Sequence, residues 1–248
     1  VLFLGAFILI KTMLFTRKSS TAIIPFEYGI PRFKQDPQTL AEHLSSVIQI
    51  ETISHEDAKK DKKENLKKMQ EQLASLYPLV HKNLTKEVVD GYSLIYTWKG
   101  SNPDLNPVVF MAHQDVVPAD EHTLDQWTFP PFSGKIADGF IWGRGTLDIK
   151  SQVIAILESV EALLAAKYKP ERTVILTFSH NEEVPGTGAK AVVDHLKEQG
   201  SRVNAVIDEG GATYDGIIPG IKGLSASVGI AKKGYLSLKL TVKGTGGH

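Results

Sequence analysis

Six ionisable side chains stand directly after short apolar runs of the sequence or at the end of a glycine-rich loop. In chain order they are His113, Asp115, Asp148, Glu182, Glu183 and Asp208. If they share one crevice, the carboxylates conflict, because two like charges about 4 Å apart repel by about 4 kcal/mol at an effective dielectric of about 20. Either several carboxyl groups are protonated or cations lie among them. A pair of divalent cations held by a bridging carboxylate, terminal carboxylates and imidazole is typical two-metal chemistry.

Taken singly, these residues have simpler explanations. An Asp at a strand end or helix start is commonly a turn or cap residue, and this applies to Asp148 and Asp208. Chemistry based on a nucleophilic side chain is disfavoured, because the chain has no cysteine and no Gly-X-Ser-X-Gly segment after a strand. The glycine spacing fits neither a dinucleotide-binding nor a phosphate-binding loop. The metal prediction therefore depends on the fold bringing these positions together.

The elements that must position these residues are short strands alternating with helices. Strands are predicted at 108–112, 173–178 and 203–207, where the runs are apolar and rich in β-branched residues. Helical spacing of apolar residues predicts helices at 151–166 and 187–199. This alternation predicts an α/β fold with a mainly parallel or mixed sheet flanked by helices. Because ligands bind beyond the carboxyl ends of the strands in such sheets, the polar clusters are expected to converge there.

Further elements are predicted outside this alternating region. A helix at 38–50 and a charged amphipathic helix at 56–77 precede a strand at 92–98. Near the end, residues 235–242 alternate apolar and polar side chains, which favours a half-exposed antiparallel strand. We interpret this last segment as the first strand of a second domain.

The N-terminus begins with an unbroken apolar run over residues 1–10, shorter than the roughly 20 residues that a spanning helix needs. Residues 1–18 are interpreted as a signal-anchor remnant or a signal peptide, with a buried helix as the alternative. Residues 19–230 are predicted to form an incomplete two-metal catalytic domain, and 231–248 the start of a truncated lid or dimerisation domain. The first residue is valine and the last follows Gly-Thr-Gly-Gly, so we expect both ends to be cut.

Composition excludes several classes of function. The chain has 28 Lys and Arg against 28 Asp and Glu, so it lacks the basic excess expected of a nucleic-acid-binding domain. Without cysteine there are neither disulfides nor thiolate ligands, and any metal must be held by histidine and carboxylates. Asn83 begins an Asn-Leu-Thr glycosylation triplet, which agrees with a lumenal or extracellular location.

Five ordered segments of the sequence carry a family resemblance. They are 111–118 (MAHQDVVP), 127–134 (WTFPPFSG), 143–150 (GRGTLDIK), 180–183 (HNEE) and 208–211 (DEGG). In this order and spacing they resemble the M20 metallopeptidase family, and within it the branch of carboxypeptidase S and the N-acyl-amino-acid hydrolases/synthases. The resemblance runs from about residue 38 to the end of the chain.

The resemblance implies a set of metal ligands. His113 and Asp208 match ligands of one zinc, Glu183 matches a ligand of the other, and Asp148 matches the carboxylate that bridges both. The cofactor implied is two Zn²⁺ per chain, with Mn²⁺ or Co²⁺ as alternatives. The family's last zinc ligand, a histidine late in the chain, has no counterpart before residue 248.

The resemblance also implies roles in the reaction. Glu182 matches the general base that deprotonates the water between the metals, and Asp115 matches the carboxylate that orients the imidazole ligand. His248 matches a lid-domain histidine that reaches the substrate in the partner subunit of the family's dimers. Two positions depart from the branch, Ile149 and Asn181, where aspartate is usual.

The function implied is metal-dependent hydrolysis of peptide or N-acyl-amino-acid amide bonds, of carboxypeptidase or aminoacylase type. The implied partners are a small peptide or N-acyl amino acid and a second subunit bound through the lid, with no nucleic acid. The location expected is the secretory pathway, either secreted or lumenal/vacuolar with an N-terminal membrane anchor. We expect the full-length parent to be active and the 248-residue piece to be inactive. A catalytically silent binding module and a metal-free sugar or nucleotide binder on the same fold remain as alternatives.

Overall fold

The computed structural model describes residues 2–18, 35–211, 213–217, 220, 222–229, 236 and 238–244. Within these residues the helices are α1 (Leu2–Lys18), α2 (Pro37–Ile48), α3 (Lys63–Leu76), α4 (Pro78–Asn83), α5 (Lys150–Ala165) and α6 (Gly188–Glu198). The strands are β1 (Thr85–Val89), β2 (Ser93–Trp98), β3 (Val108–His113), β4 (Lys135–Ala137), β5 (Phe140–Trp142), β6 (Val174–Ser179), β7 (Ala205–Ile207), β8 (Thr213–Asp215) and β9 (Leu224–Ala226).

Contacts divide the chain into one unit over Val1–Lys34 and a second over Gln35–His248. The first unit contains α1, a 17-residue helix. The described side chains of α1 are exposed. None of the described helices combines the length and the apolar character needed to span a bilayer.

The second unit is built on a five-stranded mixed sheet in the order β1-β2-β6-β3-β7. Strand β3 runs parallel to both β6 and β7, whereas β1 and β2 add antiparallel pairs on the other side of β6. The parallel ladder between β3 and β6 ends with His113 opposite Ser179. The predicted α/β fold with a mixed sheet is therefore confirmed.

Helices cover both faces of this sheet, as the apolar strand sequences predict. On one face, Val153 and Leu157 of α5 pack with Tyr96 and Phe178 in the larger apolar cluster. On the other face, α6 packs against the neighbouring strand residues, including Ile95. Successive residues of β2 thus enter different clusters, because side chains alternate between the two faces of a strand.

Three local elements differ from the sequence predictions. The helix predicted at 56–77 begins at Lys63, because Asp57 first caps a short 3₁₀ turn over Ala58–Lys60. Strand β1 was not predicted; it lies at the edge of the sheet and has a largely exposed surface pattern. The strand predicted at 235–242 is wrong for the described residues 236 and 238–242, which lie outside any strand. Alternation alone does not make a strand, and these residues have no paired neighbour in the described part of the chain.

Candidate metal centre

The candidate site begins where β3 and β6 end side by side. Their parallel pairing places His113 opposite Ser179, and the ladder continues as the backbone N–H of Gln114 donates to the Ser179 carbonyl at 2.8 Å. The residues that follow both strands must therefore leave the sheet at the same edge. This brings the segment after β6, with Glu182 and Glu183, against the end of β3.

Asp115 joins these two segments through its carboxylate. One oxygen, Oδ1, accepts from the backbone N–H of Glu182 at 3.0 Å. The other, Oδ2, accepts from the Glu183 N–H at 3.1 Å and from the Ser54 hydroxyl at 2.6 Å. The side chain of Asp115 is fully buried. Its charge is thus held inside the protein by three donors from two distant parts of the sequence.

These donors decide the charge state of Asp115. Burial alone raises the pKa of the carboxyl group, since it disfavours the ionised form. The hydrogen bonds from His113, from Ser54 and from the Glu182 backbone act in the opposite direction and leave the pKa below its usual value. Asp115 is therefore an anion that fixes the polypeptide around it.

Asp115 also orients the imidazole of His113. The Nδ1 atom of His113 lies 3.0 Å from the backbone oxygen of Asp115 and 3.3 Å from its Oδ1. Both atoms are acceptors, so Nδ1 carries a hydrogen and donates it. The Nε2 atom then points towards the carboxylates and is available as a ligand atom, an arrangement common among metal-binding histidines.

The glycine-rich loop brings Asp148 close to Nε2 of His113. Gly145 has a φ of +90°, and a Cβ there would lie 2.7 Å from Cγ1 of Val116, so only glycine fits without strain. The loop closes where the Lys150 N–H donates to the Gly145 carbonyl at 2.9 Å and α5 begins. Within it, Oδ1 of Asp148 lies 3.0 Å from Nε2 of His113. The peptide bond between Asp148 and Ile149 is cis.

Two groups of potential ligands share His113. In the first, ligand atoms of His113, Asp148 and Glu183 lie within 4.8 Å of one another, and in the second those of His113, Glu182 and Glu209 do so. One buried imidazole and several carboxylates form a nitrogen and oxygen donor set that suits zinc and related divalent cations. The donor set and its spacing thus fit a metal ion.

The acidity of these groups reflects the crowding of negative charge. Burial lowers the pKa of His113, but the hydrogen bond and charge of Asp115 and the charges of Glu182 and Glu209 outweigh burial and raise the pKa to about 9. The pKa of Glu183 and that of Glu209 are raised, first by burial and also by neighbouring charges such as that of Asp148. A cation would relieve this conflict, because it stabilises the ionised carboxylates.

The segment after β7 differs in one residue from the predicted set of metal ligands. Glu209 enters a ligand group, whereas its neighbour Asp208 is absent from the groups formed by described residues. The Oδ1 atom of Asp208 accepts from the Glu209 backbone N–H at 2.9 Å. The Asp-Glu pair after the third apolar run was the only signal for Glu209. A ligand role for Asp208 stays a prediction, and His248 lies outside the described residues.

Lys150 is a buried residue that the sequence patterns missed. Its ammonium group donates to the carbonyl oxygens of Val47 at 3.0 Å and Ile50 at 2.6 Å, which lie at the end of α2. Burial lowers the pKa of Lys150 to about 7, against the opposing charge of Asp115. The side chain ties the start of α5, and with it the loop of Asp148, to α2.

Comparisons with known proteins agree with this geometry. Residues 109–243 match the group described as Peptidase family M20/M25/M40. Human N-fatty-acyl-amino acid synthase/hydrolase PM20D1 is 38% identical over 217 residues, covering 87% of this chain and 42% of that protein. Carboxypeptidase S of Saccharomyces cerevisiae is 35% identical over 237 residues, covering 90% of this chain and 40% of that protein. The chain thus spans about two-fifths of the length of these relatives.

Solved structures resemble the fold. Human carnosine dipeptidase 1 superposes with a TM-score of 0.59 at 21% identity, covering 71% of this chain and 39% of that one. An M20 family metallo-carboxypeptidase from Sulfolobus solfataricus superposes with a TM-score of 0.55 at 21% identity, covering 72% and 38%. The match over residues 109–243 and the relatives that align with most of the chain lead to one conclusion: the chain belongs to peptidase family M20/M25/M40.

Proposed function

We propose that this chain supplies the metal-binding part of a hydrolase that cleaves amide bonds in small peptides or N-acyl amino acids. The observation that carries the proposal is the convergence of His113, Asp148 and Glu183 at one sheet edge, with Glu182 beside them. A divalent cation held by these side chains would act as a Lewis acid and lower the pKa of a water molecule. The number of ions we propose is two Zn²⁺ per chain, with Asp148 between them.

Glu182 is placed to move the protons of hydrolysis. Its Oε2 lies 3.8 Å from Nε2 of His113, and its side chain is 47% exposed, so water and substrate can reach it. The backbone N–H of Glu182 donates to Asp115, and this hydrogen bond restricts the positions that the Glu182 carboxylate can reach. We propose that Glu182 accepts the proton of the attacking water and then donates it to the leaving amine.

Asp115 and Ser54 act on the reaction only through other residues. Asp115 holds the imidazole in the tautomer that leaves Nε2 free, and it fixes the backbone of Glu182 and Glu183. Ser54 donates to the same carboxylate from the segment after α2. We assign both residues a positioning role.

The substrate class is supported by the names of the relatives. PM20D1 is named for N-fatty-acyl amino acids, and carboxypeptidase S for peptides with a free carboxyl terminus. Both substrates contain an amide bond next to an amino acid carboxylate. For the parent protein we further propose a secretory-pathway location directed by residues 1–18, and a lid domain from residue 231 that supports a homodimer.

The experiment that tests this function measures metal content and hydrolysis on the full-length protein. We expect two zinc ions per chain, and hydrolysis that chelation abolishes and added zinc restores. A panel of dipeptides and N-acyl amino acids then separates carboxypeptidase from acylase activity. The proton-transfer role is tested by Glu182→Gln, and its matched control is Glu198→Gln, which changes an exposed carboxylate on α6. A protein that holds no metal and is indifferent to chelator would instead be a binding module.

A further inference from the structure

An apolar cleft of about 860 Å³ lies beside the glycine-rich loop. Six apolar side chains line it, and five of them, besides Ile141, define what we call the aromatic cleft: Leu44, Trp127, Phe140, Trp142 and Leu147. The volume lies within the range of about 300–1,000 Å³ that is usual for small-molecule sites. The proposed reaction does not use any of these five residues.

The aromatic rings of the cleft are held in place by their own contacts. The indole N–H of Trp142 donates to the Ala137 carbonyl at 3.1 Å across the hairpin of β4 and β5. The Trp142 ring meets those of Phe129 and Phe140 edge to face, with centroids 5.5 Å and 5.9 Å away. Such edge-to-face contacts fix ring orientation. The cleft wall is therefore preformed rather than built by the ligand.

The chemistry of the lining selects a neutral, apolar occupant. The residues around the cleft include four polar side chains, Thr123, Gln126, Thr128 and Thr146, and no charged one. A carboxylate or ammonium group would lose its hydration there and gain only neutral polar partners from the lining, while the guanidinium of Arg144 lies over the Trp127 ring, 5.4 Å from its centroid. Phe140 and Leu147 are 65% and 90% exposed, so a hydrocarbon chain would cover apolar surface that now faces water.

The cleft and the candidate metal centre share the glycine-rich loop, and two consecutive residues of that loop belong one to each. Leu147 lines the cleft, and the next residue, Asp148, reaches Nε2 of His113. Their Cα atoms are about 3.8 Å apart across a trans peptide. A ligand whose amide lies against Asp148 can therefore extend its apolar part over Leu147 into the cleft.

We propose that the aromatic cleft binds the hydrocarbon chain of the acyl group of an N-acyl amino acid. The proposal rests on the proposed function for the position of the scissile amide, and it adds where the acyl chain lies. A long acyl chain fits better than an amino acid side chain, because the cleft has a volume of about 860 Å³, has no charged lining residue and is lined by three aromatic rings. The amino acid carboxylate would stay outside it.

Binding can be measured without hydrolysis. The probe is 9,10-dibromostearate, whose bromines quench nearby tryptophans, added to metal-free protein in chelator. The chain has three tryptophans, and in Trp98→Phe the two that remain both line the cleft. We expect the probe to quench the tryptophan emission of Trp98→Phe. In the double variant that also carries Phe140→Ser, the probe concentration that gives half of the quenching should rise about tenfold. Tyr214→Ser, which changes an exposed aromatic of β8 outside the cleft, is the matched control and should leave that concentration unchanged.

Absence of quenching, or quenching that Phe140→Ser does not weaken, would overturn the proposal. If circular dichroism shows that Trp98→Phe does not fold, calorimetric titration of the same probe into the wild type and Phe140→Ser answers the same question. In that format, equal affinity of the two proteins overturns the proposal.

Hydrolysis gives a second, separable test. For the zinc-loaded full-length protein we expect the kcat/KM ratio of an N-dodecanoyl to an N-acetyl amino acid to fall about tenfold in Phe140→Ser, through KM. If the protein hydrolyses N-acyl amino acids without preference for acyl chain length and the probe causes no quenching, the cleft proposal is refuted and the proposed function stands. Quenching that depends on Phe140, in a protein without amidase activity, would support the cleft and reject the proposed function.

Discussion

Replacing Asp115 by asparagine tests whether one buried carboxylate organises the whole centre. Asparagine has the same shape but only one acceptor oxygen, and the amide nitrogen that replaces the other is a donor. If the nitrogen takes the place of Oδ2, it faces the N–H of Glu183; if it takes the place of Oδ1, it faces the N–H of Glu182. Either orientation leaves one backbone donor without its acceptor.

The size of the effect follows from this count. An unsatisfied buried donor costs about 1–3 kcal/mol, and a hydrogen bond to a charged group is worth about 1.5–3 kcal/mol. The Ser54 hydroxyl can rotate to accept from the new amide, so its bond is not counted as lost. We therefore expect Asp115→Asn to lower the free energy of unfolding by about 2–4 kcal/mol.

The same substitution should weaken metal binding. Loss of the carboxylate that orients a histidine ligand typically lowers metal affinity about 10–100-fold. Urea unfolding of the metal-free protein measures the stability, and competition with a chromophoric chelator measures the affinity. Ser54→Ala removes one hydrogen bond to the Asp115 carboxylate and should cost about 1.5–3 kcal/mol, but it leaves the backbone donors of Glu182 and Glu183 paired, which makes it the matched control for metal affinity. An Asp115→Asn protein as stable as the wild type, or one that binds metal as tightly as Ser54→Ala, would refute the reasoning.

Four further outcomes follow from the geometry. Glu182→Gln should keep its metal and lose turnover by about 10²–10⁴-fold; unchanged turnover in a steady-state assay would remove its general-base role. Asp148→Ala should lose both proposed ions together, and two ions per chain by elemental analysis would contradict the bridge. Gly145→Ala should lower stability by more than about 1 kcal/mol in urea unfolding, because its φ is +90° and a Cβ would meet Val116. Burial lowers the pKa of His81, so the unfolded chain binds a proton on this residue more readily than the folded chain does. The contribution of neutral His81 to the free energy of unfolding is therefore complete above about pH 6.5 and is lost as the pH falls further. Unfolding curves of His81→Gln should show a weaker dependence on pH in that acidic range.

The sequence predicted the strands that carry the site because these apolar runs are short and rich in β-branched residues, which favours buried strands over helices. The runs ending near His113 and Ser179 are apolar on both faces, and the polar residues after them could only lie at the strand ends. The convergence of His113 with Glu183 followed from that topology. Strand β1 lacked this signal because it lies at the sheet edge, where the side chains face water.

The rest of the site depended on side-chain direction, which the sequence pattern does not encode. Asp208 and Glu209 are adjacent carboxylates, and a single step along the backbone decides which of them faces His113. Lys150 stands at a helix start, where lysine is usually exposed, yet it is wholly buried against the end of α2. Its burial depends on two carbonyl groups from a segment 100 and 103 residues away in the sequence.

The two halves of the centre differ in how firmly the fold holds them. The imidazole of His113 and the carboxylate of Asp115 are buried and hydrogen-bonded, whereas the side chain of Asp148 is 68% exposed. A cation would therefore meet one buried, hydrogen-bonded ligand together with exposed carboxylates, and part of its binding free energy would go into restricting the rotamers of those exposed side chains. Since these carboxylates repel one another without a cation, the same binding also removes an unfavourable interaction. Metal binding should thus stabilise the loops that follow β3 and β6 more than the sheet itself, and hydrogen exchange with and without zinc would show protection concentrated in residues 143–149 and 180–184. Uniform protection across β2, β3 and β6 would mean that the centre is already rigid without its metal.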